Sequence, residues 1–123
     1  MSLQTEYKFT LPKGYVDTDG TLHRSGTMRL ATARDEVEPL RDGRVQDNEA
    51  YLTIIILARV ITRLGTLTHI NPKVIEDMFA SDIAYLQDLY GIINFGDPDT
   101  IASLDAERPF SQPRLEEMPA GVS

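Results

Sequence analysis

The residues able to do chemistry are few and scattered. Asp17-Thr18-Asp19-Gly20 has the composition of a calcium-loop start. With Gly20 at the sixth position of such a loop, an oxygen ligand belongs at Tyr15 and a bidentate Glu at Gly26. Neither position carries one, so the segment reads as a hairpin turn. The two histidines, His23 and His69, lie in different elements with no carboxylate or second His at metal-ligand spacing. They read as an exposed strand residue and a loop residue. Ser25 shares a strand face with His23 but lacks the orienting third group that nucleophilic catalysis needs. The chain has no Cys, which removes thiolate nucleophiles, disulfides and Cys-based zinc sites. Glu76-Asp77 and Glu116-Glu117 are adjacent pairs that diverge on a helix instead of sharing a proton. Gly14, Gly20 and Gly26 belong to hairpin turns and form no phosphate-binding pattern. The expectation is a non-enzymatic protein with no catalytic residues, no metal and no cofactor.

Recognition is the remaining chemistry. Arg59 and Arg63 stand four apart on one helical stripe and can grip a partner's carboxylates or phosphates. The competing reading lays their stems over the core, with the guanidinium groups bridging Glu76, Asp77 or Asp82 of the same chain. Ile54, Ile55, Ile61, Tyr85 and Leu89 are the matching apolar positions, either core or the walls of a groove for a partner's amphipathic helix.

These side chains need elements to carry them. Tyr7, Phe9 and Leu11 alternate with Lys8 and Thr10, predicting a half-buried strand. Pro12-Lys13-Gly14 punctuates it before a second short strand at Tyr15-Val16. Asp19-Gly20 suits a tight turn, Leu22, Met28 and Leu30 line the return, and Ser25-Gly26 reads as a bulge. Ala33–Leu40 reads as a short acidic helix capped by Thr32, followed by a loop at Arg41-Asp42-Gly43-Arg44. The clearest helix runs from an Asp47 or Asn48 cap to Leu64 and stops at Gly65; its broad apolar surface predicts burial between layers. Asn71-Pro72 opens a short helix, and Ser81-Asp82 caps a last one through Ile93. The fold expected is α+β and mostly helical, with an N-terminal β-hairpin packed on three or four helices over 1–96. Residues 97–123 read as an acidic, Pro-containing extended arm.

Composition sets the outer bounds. The 123 residues, 41% apolar and 25% charged, suit one small domain. The net charge of −7 disfavours nucleic acid and anionic membranes as partners. Residues 1–70 are balanced, with nine basic side chains against nine acids. Residues 71–123 hold three against ten, so the acidity belongs to the later part. The longest apolar run, Tyr51 to Ile61, reaches eleven residues and contains Arg59, short of the roughly 20 that span a bilayer. The N-terminus has no signal-peptide layout, and a cytoplasmic protein is expected.

The order of segments resembles the phage tail assembly chaperone family. The run from Phe9 to Arg24, FTLPKGYVDTDGTLHR, is similar to that family's N-terminal hairpin, and Met28 to Glu36, MRLATARDE, to the strand and acidic turn after it. Leu57 to Gly65, LARVITRLG, resembles the central helix, and Ala80 to Leu86, ASDIAYL, the final one. The resemblance covers roughly residues 7–95. It implies a non-enzymatic assembly factor of contractile phage tails, prophages or related injection particles. Such a factor binds the tape-measure protein, keeps it soluble and helps tail-tube subunits polymerise around it. A permanent structural subunit of the tail or baseplate is the alternative.

Overall fold

The structure, a computed structural model, describes residues 3–106. Among these residues an α+β arrangement is observed, with more helix than strand. β1 (Glu6–Val16) and β2 (Leu22–Arg29) form the expected hairpin, and β3 (Ile61–Leu64) completes an antiparallel sheet of order β1-β2-β3. The helices are α1 (Ala33–Val37), α2 (Gly43–Asp47), α3 (Tyr51–Val60), α4 (Pro72–Glu76), α5 (Ala80–Phe95) and α6 (Pro98–Ala106), with a 3₁₀ turn at Glu38–Arg41.

The alternation in β1 is real: Tyr7, Phe9 and Leu11 are buried while Glu6, Lys8 and Pro12 are exposed. The irregularity of the hairpin, however, lies in β1 and not at Ser25-Gly26. Thr10 pairs with Ser25, whereas Tyr15 pairs with His23, so β1 carries extra residues between these pairs. The bulge keeps the chain in one strand where punctuation at Pro12-Lys13-Gly14 predicted two. It also places Tyr15 on the buried face. Gly14 adopts φ +107° there, a region open to glycine. Gly26 is a different case. It lies buried in β2, and a Cβ there meets Phe9 Cζ at 2.4 Å and the Arg63 carbonyl oxygen at 2.6 Å. Its task is close approach, not turning.

The central helix ends earlier than periodicity predicts. Ile61 turns to φ −84° and ψ 114°, and Ile61–Leu64 joins the sheet, Met28 pairing with Ile61 and Gly26 with Leu64. Val60, Ile61 and Thr62 are β-branched, which weakens the helix and suits the strand. Pairing with β2 then decides the outcome. Gly65, at φ +60°, therefore ends a strand and not a helix.

Other boundaries shift for local reasons. Asp42 caps α2 by accepting from Arg44 N, so the expected loop at 41–44 begins a helix. Asn48 accepts from Ala50 N just ahead of α3, whose N-cap position is Ala50. Asn71 caps α4 as predicted. α5 starts at Ala80, one turn early, because Asp82 is not its cap. Residues 98–106 continue as helix, with Ile101 and Leu104 packed against the core. The rest of the expected arm, 107–123 with Glu116-Glu117, lies outside the described residues. The core joins all layers: Leu11 and Met28 from the hairpin, Leu57 and Val60 from α3, Leu64 from β3, Ile75 from α4 and Leu86 from α5 are almost wholly buried.

Candidate partner-binding site

α5 is the element on which recognition turns, because it has two unlike flanks. On the sheet flank it buries Asp82, Tyr85, Leu86, Leu89 and Ile93. Asp82 is 0% exposed, yet its carboxylate is satisfied: Oδ1 accepts from Lys13 N at 2.9 Å and Oδ2 from Gly14 N at 2.9 Å. These are the amides that the β1 bulge removes from the ladder. Arg24 completes the repair on the other side, donating from Nε to the Leu11 carbonyl and from Nη2 to that of Pro12. Tyr85 accepts from Thr10 N through its hydroxyl at 3.2 Å and meets Phe9 edge-on, and burial pushes its phenol up. This flank is closed.

The opposite flank faces α3 across an apolar groove of about 180 Å³ lined by Thr53, Ile56, Leu57, Gln87 and Tyr90. Leu57 forms its floor and is buried, while Thr53, Ile56 and Tyr90 are half-buried and Gln87 is exposed. That volume lies below the roughly 300–1,000 Å³ of small-molecule pockets and suits one or two anchoring apolar side chains of a larger partner. At one end Tyr90 donates its hydroxyl to Glu36, and burial together with that carboxylate drives the phenol upward. Tyr51, at the start of α3, donates to Glu76 and lies under the Arg44 guanidinium, 5.0 Å from its ring centre, tying α2, α3 and α4 together.

Arg59 is accounted for by its own chain. Its Nε donates to Asp35 Oδ1 at 3.0 Å and its Nη2 to Glu38 Oε1 at 2.9 Å. Arg29 holds the same carboxylate in a fork, at 2.7 and 2.9 Å, and Thr32 N donates to it as a helix cap. Asp35 is 3% exposed, and the Arg29 guanidinium holds its carboxyl far below the usual carboxylate range. The intramolecular reading of Arg59 was right in kind, but its acids are Asp35 and Glu38, not Glu76, Asp77 or Asp82. Arg63 is not on the same stripe. It sits on β3 and donates to the Gly65 carbonyl at 2.9 Å.

The predicted apolar positions divide in the same way. Ile55, Ile61, Tyr85 and Leu89 are buried and serve the core, and Ile54 is half-buried and packed against it. None of the five lines the groove. The residues that do are Thr53, Ile56 and Leu57, at three-four spacing on α3, and Gln87 and Tyr90, three apart on α5; Ile56 and Tyr90 belong to apolar stripes that periodicity marks, but neither is among the candidate partner positions. The signal was present, but periodicity could not say which stripe faces the sheet.

His23 also differs from expectation. It is 3% exposed, its Nε2 lies 2.7 Å from Asp17 Oδ2, and its ring stacks on Tyr15. The His23 contact, helped by the amides of Thr21 and Asp19 donating to Asp17 Oδ1, holds the Asp17 carboxyl below the usual range. The turn thus supplies the carboxylate that linear spacing did not reveal. Gly65 lies directly against the ring, where a Cβ meets His23 Nδ1 at 2.1 Å. His69 lies in a loop, as expected, and is exposed. Among the described residues no group of His, Cys, Asp and Glu is arranged to hold a metal ion, and no helix is long and apolar enough to cross a membrane. Compared with known protein families, curated proteins and solved structures, the chain matches none.

Proposed function

We propose that this protein is a non-enzymatic tail assembly chaperone. It binds amphipathic helices of a tape-measure protein in the cytoplasm of a bacterium or phage-infected host and assists assembly of the tail tube around them. The α3–α5 groove is the observation that carries this reading. It is apolar, open and bounded by two helices, the form of site that receives one turn of a partner helix. The resemblance of residues 7–95 is the ground for naming a tape-measure protein, and an apolar recess between two helices supports a helical partner. Burial of Ile55, Ile61, Tyr85 and Leu89 moves the proposed contact from those positions to Thr53, Ile56, Gln87 and Tyr90.

Co-expression with a phage tail tape-measure protein tests the reading. Soluble yield of the tape-measure protein rises and the two co-elute; Ile56→Asp abolishes both effects while the variant stays folded. Unchanged yield and separate elution overturn the proposal. Recovery of the chain in stoichiometric amount from finished particles favours a permanent structural subunit, since a chaperone leaves.

A further inference from the structure

The groove between α3 and α5 lies close to where the described chain runs out. Gln87 and Tyr90, which form one wall, stand within about 12 Å of the C-terminal end of α5. α6 continues from that end, is about 14 Å long, and packs Ile101 and Leu104 against the core. Residues 107–123 follow Ala106 in the sequence. At about 3.3 Å per residue, Leu115 reaches roughly 30 Å from Ala106 and Met118 roughly 40 Å. Neither the distance back along α5 nor the length of α6 takes the groove out of that range. The composition of this stretch also suits the recess. Leu115 and Met118 are three apart, the spacing of one helical turn, and Pro113 and Pro119 bracket them. The recess has room for one or two apolar side chains, and its lining is uncharged, so Glu116 and Glu117 meet no like charge at its walls. Tethering lowers the affinity required. A linker of this length holds the pair at an effective concentration of about 1 mM, so a contact with a Kd of about 0.1 mM is occupied about nine-tenths of the time.

We infer that Leu115 and Met118 occupy the α3–α5 groove of their own chain, and that a partner helix has to displace them. The displacement rests on the groove being the partner site; the docking does not, and the test keeps the two apart. The chain has no Cys, so Glu117→Cys gives a single position for a nitroxide label on the full-length protein. The amide signals of Thr53, Ile56, Gln87 and Tyr90 then lose intensity, and recover it when Leu115→Asp and Met118→Asp are added. Signals that weaken evenly over the whole surface, or that stay weakened in the double variant, overturn the docking. So does equal weakening when the labelled chain is mixed with an unlabelled, isotope-enriched one, which assigns the contact to a second copy. For displacement, the full-length chain with both Asp substitutions and no label binds the tape-measure protein of the co-expression test about tenfold more tightly than the parent, because no tethered competitor remains. Equal affinity of the two chains overturns the displacement. Binding by neither chain overturns the partner reading, while loss of signal confined to the groove still supports the docked segment.

Discussion

α5 is bordered by two regions built on opposite terms. Towards the sheet it is sealed, and each polar atom taken out of water there has a named partner, Asp82 with the Lys13 and Gly14 amides and Tyr85 with the Thr10 amide. Towards α3 it leaves an apolar recess whose walls are half in water. A buried carboxylate is tolerable only because the β1 bulge frees two amides to meet it, so the closed side is specified by hydrogen bonding as well as by shape. The open side has no such specification. Side chains there can change with little effect on the fold, which is where a binding surface belongs.

The sharpest way to break the comparison is Asp82→Ala, which strands two amides in the interior. It is expected to cost about 3–4 kcal/mol, read as a lowered denaturation midpoint, with Asp82→Asn recovering part of the loss. Leu89→Ala on the same flank leaves a cavity and should cost about 3 kcal/mol by the same measurement. Gly26→Ala forces its Cβ against the Phe9 ring and the Arg63 backbone. A loss of about 2 kcal/mol is expected, with displaced amide signals across the β2–β3 pair.

The Asp35 junction lies between the two regions and gives a pH test. Its folded carboxyl titrates well below an unfolded one, so the stabilisation it contributes is complete above the ordinary value near 4 and is lost as pH falls towards the folded value. Asp35→Asn should therefore lower stability by about 2 kcal/mol at pH 7, and flatten the fall in stability expected of the parent protein below about pH 4. An unchanged acid profile in the variant shows that other carboxylates govern that range. The smallest stability effect belongs to the open side. Ile56→Ala should cost about 1 kcal/mol in the melt, because its side chain is already half in water, while weakening partner binding far more. A loss as large as that of Leu89→Ala shows that the groove is core.

Much of the fold was legible in linear order. The 7–11 alternation, the Asp17–Gly20 turn and the Thr32 and Asn71 caps each act through chain neighbours, and each is found where local chemistry puts it. Contacts between distant residues were not legible. Asp82 reads locally as a helix cap, and only a bulge 68 residues away gives it another use. Arg59 has acids within reach of any helix, and the position of α1 selects Asp35 and Glu38. His23 looks exposed until the turn brings Asp17 beneath it.

By itself, then, the sequence determined the α+β class, the hairpin, the helical second half and the segregation of acidic charge, since propensity, turn chemistry and charge are properties of short stretches. Tertiary structure decided that residues 61–64 are a strand, which stripe of each helix is core, and therefore where a partner finds apolar surface. The physical reason is that α3 and α5 are apolar round most of their circumference. Burial lowers the free energy of either stripe about equally, and the choice falls to hydrogen-bond partners that lie far off in the chain.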